Sequence, residues 1–164
     1  DTPDSLLEGI KSSQAHQAWA AKWMTESFRR NKRMVTIAIH LFIDAFPAGW
    51  MKAIMDCDRN PKPAYFAYRD ALTPVMLSLR GDRNSYHPGE TASVEVWGCN
   101  DESRAYQGLK IHYEIRGSEK ERDESIPTAN EAGPILGTGE KTVDLPACGS
   151  AYLGTIEFTV PEAE

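Results

Sequence analysis

VTIAIHLFIDAFPAGWMKAIMDCDRNPKPAYFAYRDALTP, residues 35–74, is the stretch on which the fold turns. Its odd positions Val35, Ile37, Ile39, Leu41 and Ile43 are apolar and mostly β-branched. Its even positions Thr36, Ala38, His40, Phe42 and Asp44 are smaller or polar. A strand sends successive side chains to opposite faces. One face of this segment therefore wants a helix layer, and the other a crowded interior that turns polar toward its C-terminal end. A strand of a parallel (β/α) barrel has those needs. An edge strand of an open sheet would rarely carry such a run, because it would invite aggregation. The loop Ala45 to Asn60 follows, with Phe46, Pro47, Gly49 and Trp50. Pro61 and Pro63 then lead into a helix over Ala64–Leu72, since proline suits a first helical turn. Thr73-Pro74 ends it, because the residue before a proline is pushed out of the helical region.

Upstream, Ser5 to Arg30 reads as helix, with Gly9 as its one candidate break. Trp19 and Trp23 lie four apart among Ala15, Ala18 and Ala20, which points to a core-facing stripe. Glu26 precedes Arg30 by four, and the cations Arg29 to Arg33 suit the negative end of the helix dipole. Downstream of Val75 the period becomes two. Val75 to Arg80, Thr91 to Asn100, Leu109 to Arg116, Gly139 to Leu145 and Tyr152 to Val160 read as strands separated by turn residues. The charged run Gly117 to Ser125 reads as a solvated hairpin or loop. Short strands in this order suggest an antiparallel β-sandwich. Five fall short of the roughly seven of an immunoglobulin-like sandwich, so the sandwich is expected to lack strands at its C-terminal end.

The totals exclude several classes. A net charge of −6 and a pI near 5.3 argue against nucleic acid as a partner. The longest apolar run, Val35 to Ile43, is about half of what a bilayer crossing requires, so no membrane partner is expected. The chain begins Asp1-Thr2-Pro3, and the lack of a leader therefore leaves the compartment open. Cys57, Cys99 and Cys148 are scattered, as are His16, His40, His87 and His112. That spacing offers no zinc signature and no disulfide framework, with one bridge at most. No metal or other cofactor is expected.

The order of short motifs resembles a known family. Ser13-Gln14, Gln17-Ala18 and Phe28-Arg29-Arg30 come first, then Asp44-Ala45-Phe46-Pro47, Trp50, Asp56 and Pro61-Lys62-Pro63-Ala64-Tyr65-Phe66. Together they look like the last part of the catalytic barrel of family 2 glycoside hydrolases, the group of β-galactosidases, β-glucuronidases and β-mannosidases. Tyr86, Gly89-Glu90, Val96-Trp97 and Asn100-Asp101 look like the immunoglobulin-like domain that follows the barrel. The resemblance implies a mixed fold. Residues 1–74 would hold the last strand and helix of a (β/α)8 barrel, and 75–164 an antiparallel immunoglobulin-like β-sandwich. It has departures. His40 stands where many members have Trp, Ile43 where they have Asn, and Phe46 where they have the Trp before proline. Under the resemblance His40 and Asp44 face a sugar pocket, and Trp50 is a candidate for stacking on a sugar. Core packing and loop capping are the competing roles for all three.

Retaining glycosidases use two carboxyl groups about 5–5.5 Å apart. In the family these glutamates belong to earlier barrel strands. Glu8 and Glu26 here lie in the helical region, and Glu90, Glu95 and Glu114 in the sandwich, so no residue of the chain is expected to be catalytic. The implied function is a fragment of a retaining glycoside hydrolase acting on β-linked hexosides or hexuronides in carbohydrate metabolism. It would meet carbohydrate through the parent enzyme. Segment 35–43 would pair with absent barrel segments or with another copy. A stand-alone sandwich module that binds carbohydrate or protein is the alternative.

Overall fold

A computed structural model describes residues 5–47, 52–83, 85–117 and 133–161. Its elements are the helices α1 (Leu6–Arg30) and α2 (Pro63–Ala71), followed by the strands β1 (Val75–Gly81), β2 (Thr91–Asn100), β3 (Tyr106–Arg116), β4 (Ile135–Leu145) and β5 (Gly149–Thr159). The described parts of residues 1–28 and 33–73 form one unit. Those of 29–32, 74–117 and 133–164 form a second.

In the first unit α1 runs without a break through Gly9, whose amide donates to the Ser5 carbonyl at 3.1 Å. Its buried stripe is Ala18, Ala21 and Thr25, spaced three and four apart as a helix face requires. Small side chains let Ile54 and Ala64 approach closely, and Ile39, Met55, Tyr65 and Tyr68 pack around that cluster. Full burial of a side chain such as Ile54 stabilises by about 1.5–3 kcal/mol. The tryptophans depart from expectation. Trp19 and Trp23 are 43% and 56% exposed and stack on each other with ring centroids 6.1 Å apart. The alanine stripe occupies the inner face, and positions 19 and 23 fall about 100° and 200° round the helix from 18 and 21.

Segment 35–43 also departs from expectation, since it forms no regular strand. Its parity survives only in the middle: Ile37, Ile39 and Leu41 are half-buried and Thr36, Ala38 and His40 exposed, whereas Val35 and Ile43 are exposed and Asp44 is buried. Its C-terminal end does find a parallel neighbour inside the chain, through an isolated bridge between Ile43 and Met55. Ile54 N–H donates to the Leu41 carbonyl at 3.3 Å, Met55 N–H to Phe42 at 3.0 Å, and Asp44 N–H to Met55 at 3.1 Å. Among the described residues no second ladder runs alongside 35–40, and an extended backbone becomes a strand only when a neighbour takes its hydrogen bonds.

The second unit holds two antiparallel sheets, one of three strands in the order β1-β2-β5 and one of two, β3-β4. Register puts Val96 opposite Leu79 on one side and Gly154 on the other, with a bulge at Val96/Trp97. The sheets face each other where Leu145 packs against Gly98 and where Lys141 Nζ donates to the Thr155 carbonyl at 2.9 Å. Asn100 is fully buried. Its Nδ2 donates to the carbonyls of Arg104 and Pro146, each at 2.8 Å, and its Oδ1 accepts from Glu102 N–H at 2.9 Å. One amide thus ties together the turns at one end of the sandwich. Arg30 meets the outer face of the larger sheet: it donates to Ser78 Oγ, and Ser150 Oγ donates to its carbonyl at 3.1 Å.

Candidate functional site

A cleft of about 760 Å³ opens in the first unit between the start of α1 and the loops that flank the Ile43–Met55 bridge. Its polar wall is made by Gln14, Gln17, Asp44, Asp56 and Lys62, and its apolar wall includes Ile10 and Phe46. The bridge places Asp44 one residue past Ile43, with its backbone N–H fixed to Met55. Lys62 arrives from the other side. It is the N-cap residue of α2, set between Pro61 and Pro63, and its side chain makes no capping bond. Pro63 has no N–H to be capped. The ammonium reaches Asp44 Oδ2 at 2.7 Å instead.

Both partners are largely withdrawn from water, with 5% of the Asp44 side chain and 15% of the Lys62 side chain exposed. The second carboxylate oxygen, Asp44 Oδ1, is buried and has no hydrogen-bond partner among the described residues. A buried carboxylate oxygen without a donor is costly. It marks a place where a hydroxyl or N–H from elsewhere would be accepted.

Two further groups hold the walls in position. Gln17 Nε2 donates to the carbonyls of Lys52 at 2.7 Å and Ala53 at 3.3 Å, so α1 braces the loop before Met55. Asp56 closes the turn that follows. Its Oδ1 accepts from Asn60 N–H at 2.7 Å and its Oδ2 from Asn60 Nδ2 at 2.9 Å. The Asn60 side-chain and backbone donors hold the Asp56 carboxyl below its ordinary value. Cys57, a half-buried free thiol, also lines the cleft.

The residues singled out in the sequence fall in three different places. Asp44 is the anchor of the cleft. His40 is exposed and is not among the described residues that line it. Trp50 lies outside the described residues. Lys62 was visible as part of a Pro-Lys-Pro motif, yet its role was not. The available signal was a cation held between two prolines at a helix start, where a short polar cap is the usual occupant.

No protein-family model matches the sequence, and no curated protein matches it. Among solved structures, the chain is similar over its whole length to a β-D-mannosidase from Dictyoglomus thermophilum, with a TM-score of 0.67 and 24% identity. The chain spans 17% of the length of that enzyme. The likeness establishes that this sequence folds as a segment of a β-mannosidase folds.

Proposed function

We propose that the chain is a segment of a retaining glycoside hydrolase acting on β-linked hexosides or hexuronides. It would supply the closing part of a (β/α)8 barrel over 1–74 and the immunoglobulin-like sandwich over 75–164. The observation that carries this reading is the whole-length fold similarity to a β-D-mannosidase that is several times longer. The cleft supports it chemically: Asp44 presents one free acceptor oxygen beside a cation, an arrangement suited to a sugar hydroxyl. His40 and Trp50 are proposed to join Asp44 at the sugar once the remaining barrel segments are in place. The carboxylates that cut would come from those other segments.

The test is the full reading frame and the enzyme it encodes. Glutamates at the ends of two earlier barrel strands, and hydrolysis of an aryl β-mannoside, β-galactoside or β-glucuronide with retention, are expected. In that enzyme Asp44→Ala should lower kcat/KM about 10- to 150-fold, the loss of one hydrogen bond to a charged acceptor. A start codon immediately before Asp1, or an intact parent that cleaves none of these glycosides, overturns the reading.

A second reading rests on one separate observation. On the outer face of the larger sheet Trp97 and Tyr152 lie with ring centroids 5.5 Å apart, Tyr152 is half exposed, and Trp97 Nε1 donates to Glu95. An aromatic pair beside a carboxylate suits a non-catalytic module that binds carbohydrate. Calorimetry of the chain against β-linked glycans separates the two, because heat that is lost in Trp97→Ala and Tyr152→Ala would favour the module.

A further inference from the structure

The charge on the cleft wall decides what can approach it. Among the described residues that line it, three are charged: Asp44, Asp56 and Lys62. Two carboxylates against one ammonium leave the wall with an excess of negative charge. Asp58 and Arg59, in the turn beside Asp56, offset each other and lie off the wall.

The one cation is already committed. Lys62 Nζ lies 2.7 Å from Asp44 Oδ2, and both side chains are largely withdrawn from water. Turning that ammonium toward a second anion would leave Asp44 buried without its counter-charge, which is costly. Asp56 keeps its charge for a separate reason. Asn60 donates to both of its oxygens, which holds the carboxyl below its ordinary value, so it stays ionised near neutral pH.

What remains free is an acceptor. Asp44 is 5% exposed, and its Oδ1 has no partner among the described residues. Only a group that brings a hydrogen can satisfy it. A hydroxyl or an amide N–H does so. An ionised carboxylate has no hydrogen to give and meets a like charge instead. Gln14, on the same wall, is uncharged and can both donate and accept. Ile10 and Phe46 offer an apolar surface to the C–H face of a sugar ring.

We infer that the cleft selects a neutral hexose unit and rejects a hexuronate. Of the hexosides and hexuronides named in the proposed function, it retains the hexosides, and it rests on the sugar-site part of that reading. Asp44 takes a sugar hydroxyl on Oδ1, and Asp56 sets the sign of the wall.

Cys57 supplies a reporter that does not depend on hydrolysis. Its thiol is half-buried and lines the same cleft, whereas Cys99 and Cys148 belong to the second unit. A sugar seated in the cleft shields it. The test measures how fast iodoacetamide, an uncharged reagent, alkylates Cys57 in the intact parent enzyme at low ionic strength, mapped by mass spectrometry. The competitors are D-mannose, D-galactose and D-glucose, their hexuronic acids, and the hexuronamides, in which the same C6 group carries no charge. In at least one configuration the hexose and the hexuronamide should protect Cys57 at concentrations at least about tenfold below those the hexuronate needs. Asp56→Asn should bring the hexuronate to within about threefold of the hexuronamide and leave the hexose unchanged.

A hexuronate that protects as well as its hexuronamide overturns the inference. So does a hexuronamide as weak as the hexuronate, which would make shape the cause and not charge. Protection by no competitor overturns it too, since Asp44 Oδ1 would then be met by another segment of the parent. The two failures are separable. The expected order at Cys57 in a parent that cleaves no glycoside would remove the hydrolase reading and leave this inference standing. A parent that hydrolyses aryl β-hexuronides, with no such order at Cys57, would do the reverse.

Discussion

Lys62 shows how a residue's neighbours decide its role. Pro61 and Pro63 restrict the backbone on both sides, so holding Lys62 against Asp44 costs mainly the rotamer freedom of its side chain. Removing one member of a largely buried ion pair strands the other. Lys62→Met is therefore expected to destabilise the first unit by about 3–5 kcal/mol, measured by urea unfolding. The double variant Asp44→Leu with Lys62→Met should recover most of that loss, and a double variant as unstable as the single one would show that the pair is not what Lys62 contributes. Asp56 makes a pH prediction. Its folded carboxyl sits below the ordinary value of 3.8 because Asn60 donates to it. A depressed carboxyl adds stability that is complete above the unfolded value and is lost as pH falls through the folded one. The 56–60 turn should loosen over that acidic range, and Asp56→Ala should remove that part of the pH dependence, as read from the exchange of the Asn60 amide. The parity of Asp44 with the even face was readable in sequence. Its partner was not, because Lys62 lies eighteen positions on and meets it only through the Ile43–Met55 bridge.

At the scale of elements, local chemistry carried the sandwich well. The period of two, broken by Pro, Gly, Asn and Asp, located all five strands to within a few residues, because strand faces and turn residues are short-range signals. The 35–43 segment and the tryptophan stripe of α1 fared differently. On the proposed reading both take their pairing and burial from other segments, and Val35 is 98% exposed although its pattern calls for cover. The β2–β5 bulge was also invisible in sequence. Gly154 sits at φ +108, with the Lys141 ammonium where a Cβ would go. Gly154→Ala should cost about 1–3 kcal/mol through backbone strain. Gly98→Ala should cost a similar amount through overpacking against Leu145 and Leu153. Thermal unfolding followed by the Trp97 signal checks both, and a neutral result for Gly98→Ala would mean that the facing sheets can separate without loss.

At the scale of the whole molecule, the first unit exposes more apolar surface than an isolated unit normally tolerates. Leu6, Trp23, Val35 and Phe46 are each more than half exposed, and they lie on the start and middle of α1, the beginning of segment 35–43 and the cleft loop. Large apolar side chains left this exposed point to contact surface, and the parent reading assigns it to neighbouring barrel segments. Without those segments the 164-residue chain should self-associate through this unit. The net charge of −6 works against that association at low salt, and screening weakens the repulsion as the Debye length shortens from about 30 Å at 0.01 M to about 10 Å at 0.1 M. Association should therefore rise with ionic strength, opposite to what a contact built on ion pairs would show. Light scattering across a dilution series at two salt concentrations reads this directly. Trp23→Lys with Val35→Lys should shift the distribution toward monomer while the far-ultraviolet helix signal stays constant, since neither side chain belongs to the Ala18–Ile54 cluster. A monomer at every concentration and salt, with both substitutions silent, would show that these side chains need no partner, and with them would go the strongest physical reason for placing this chain inside a larger barrel.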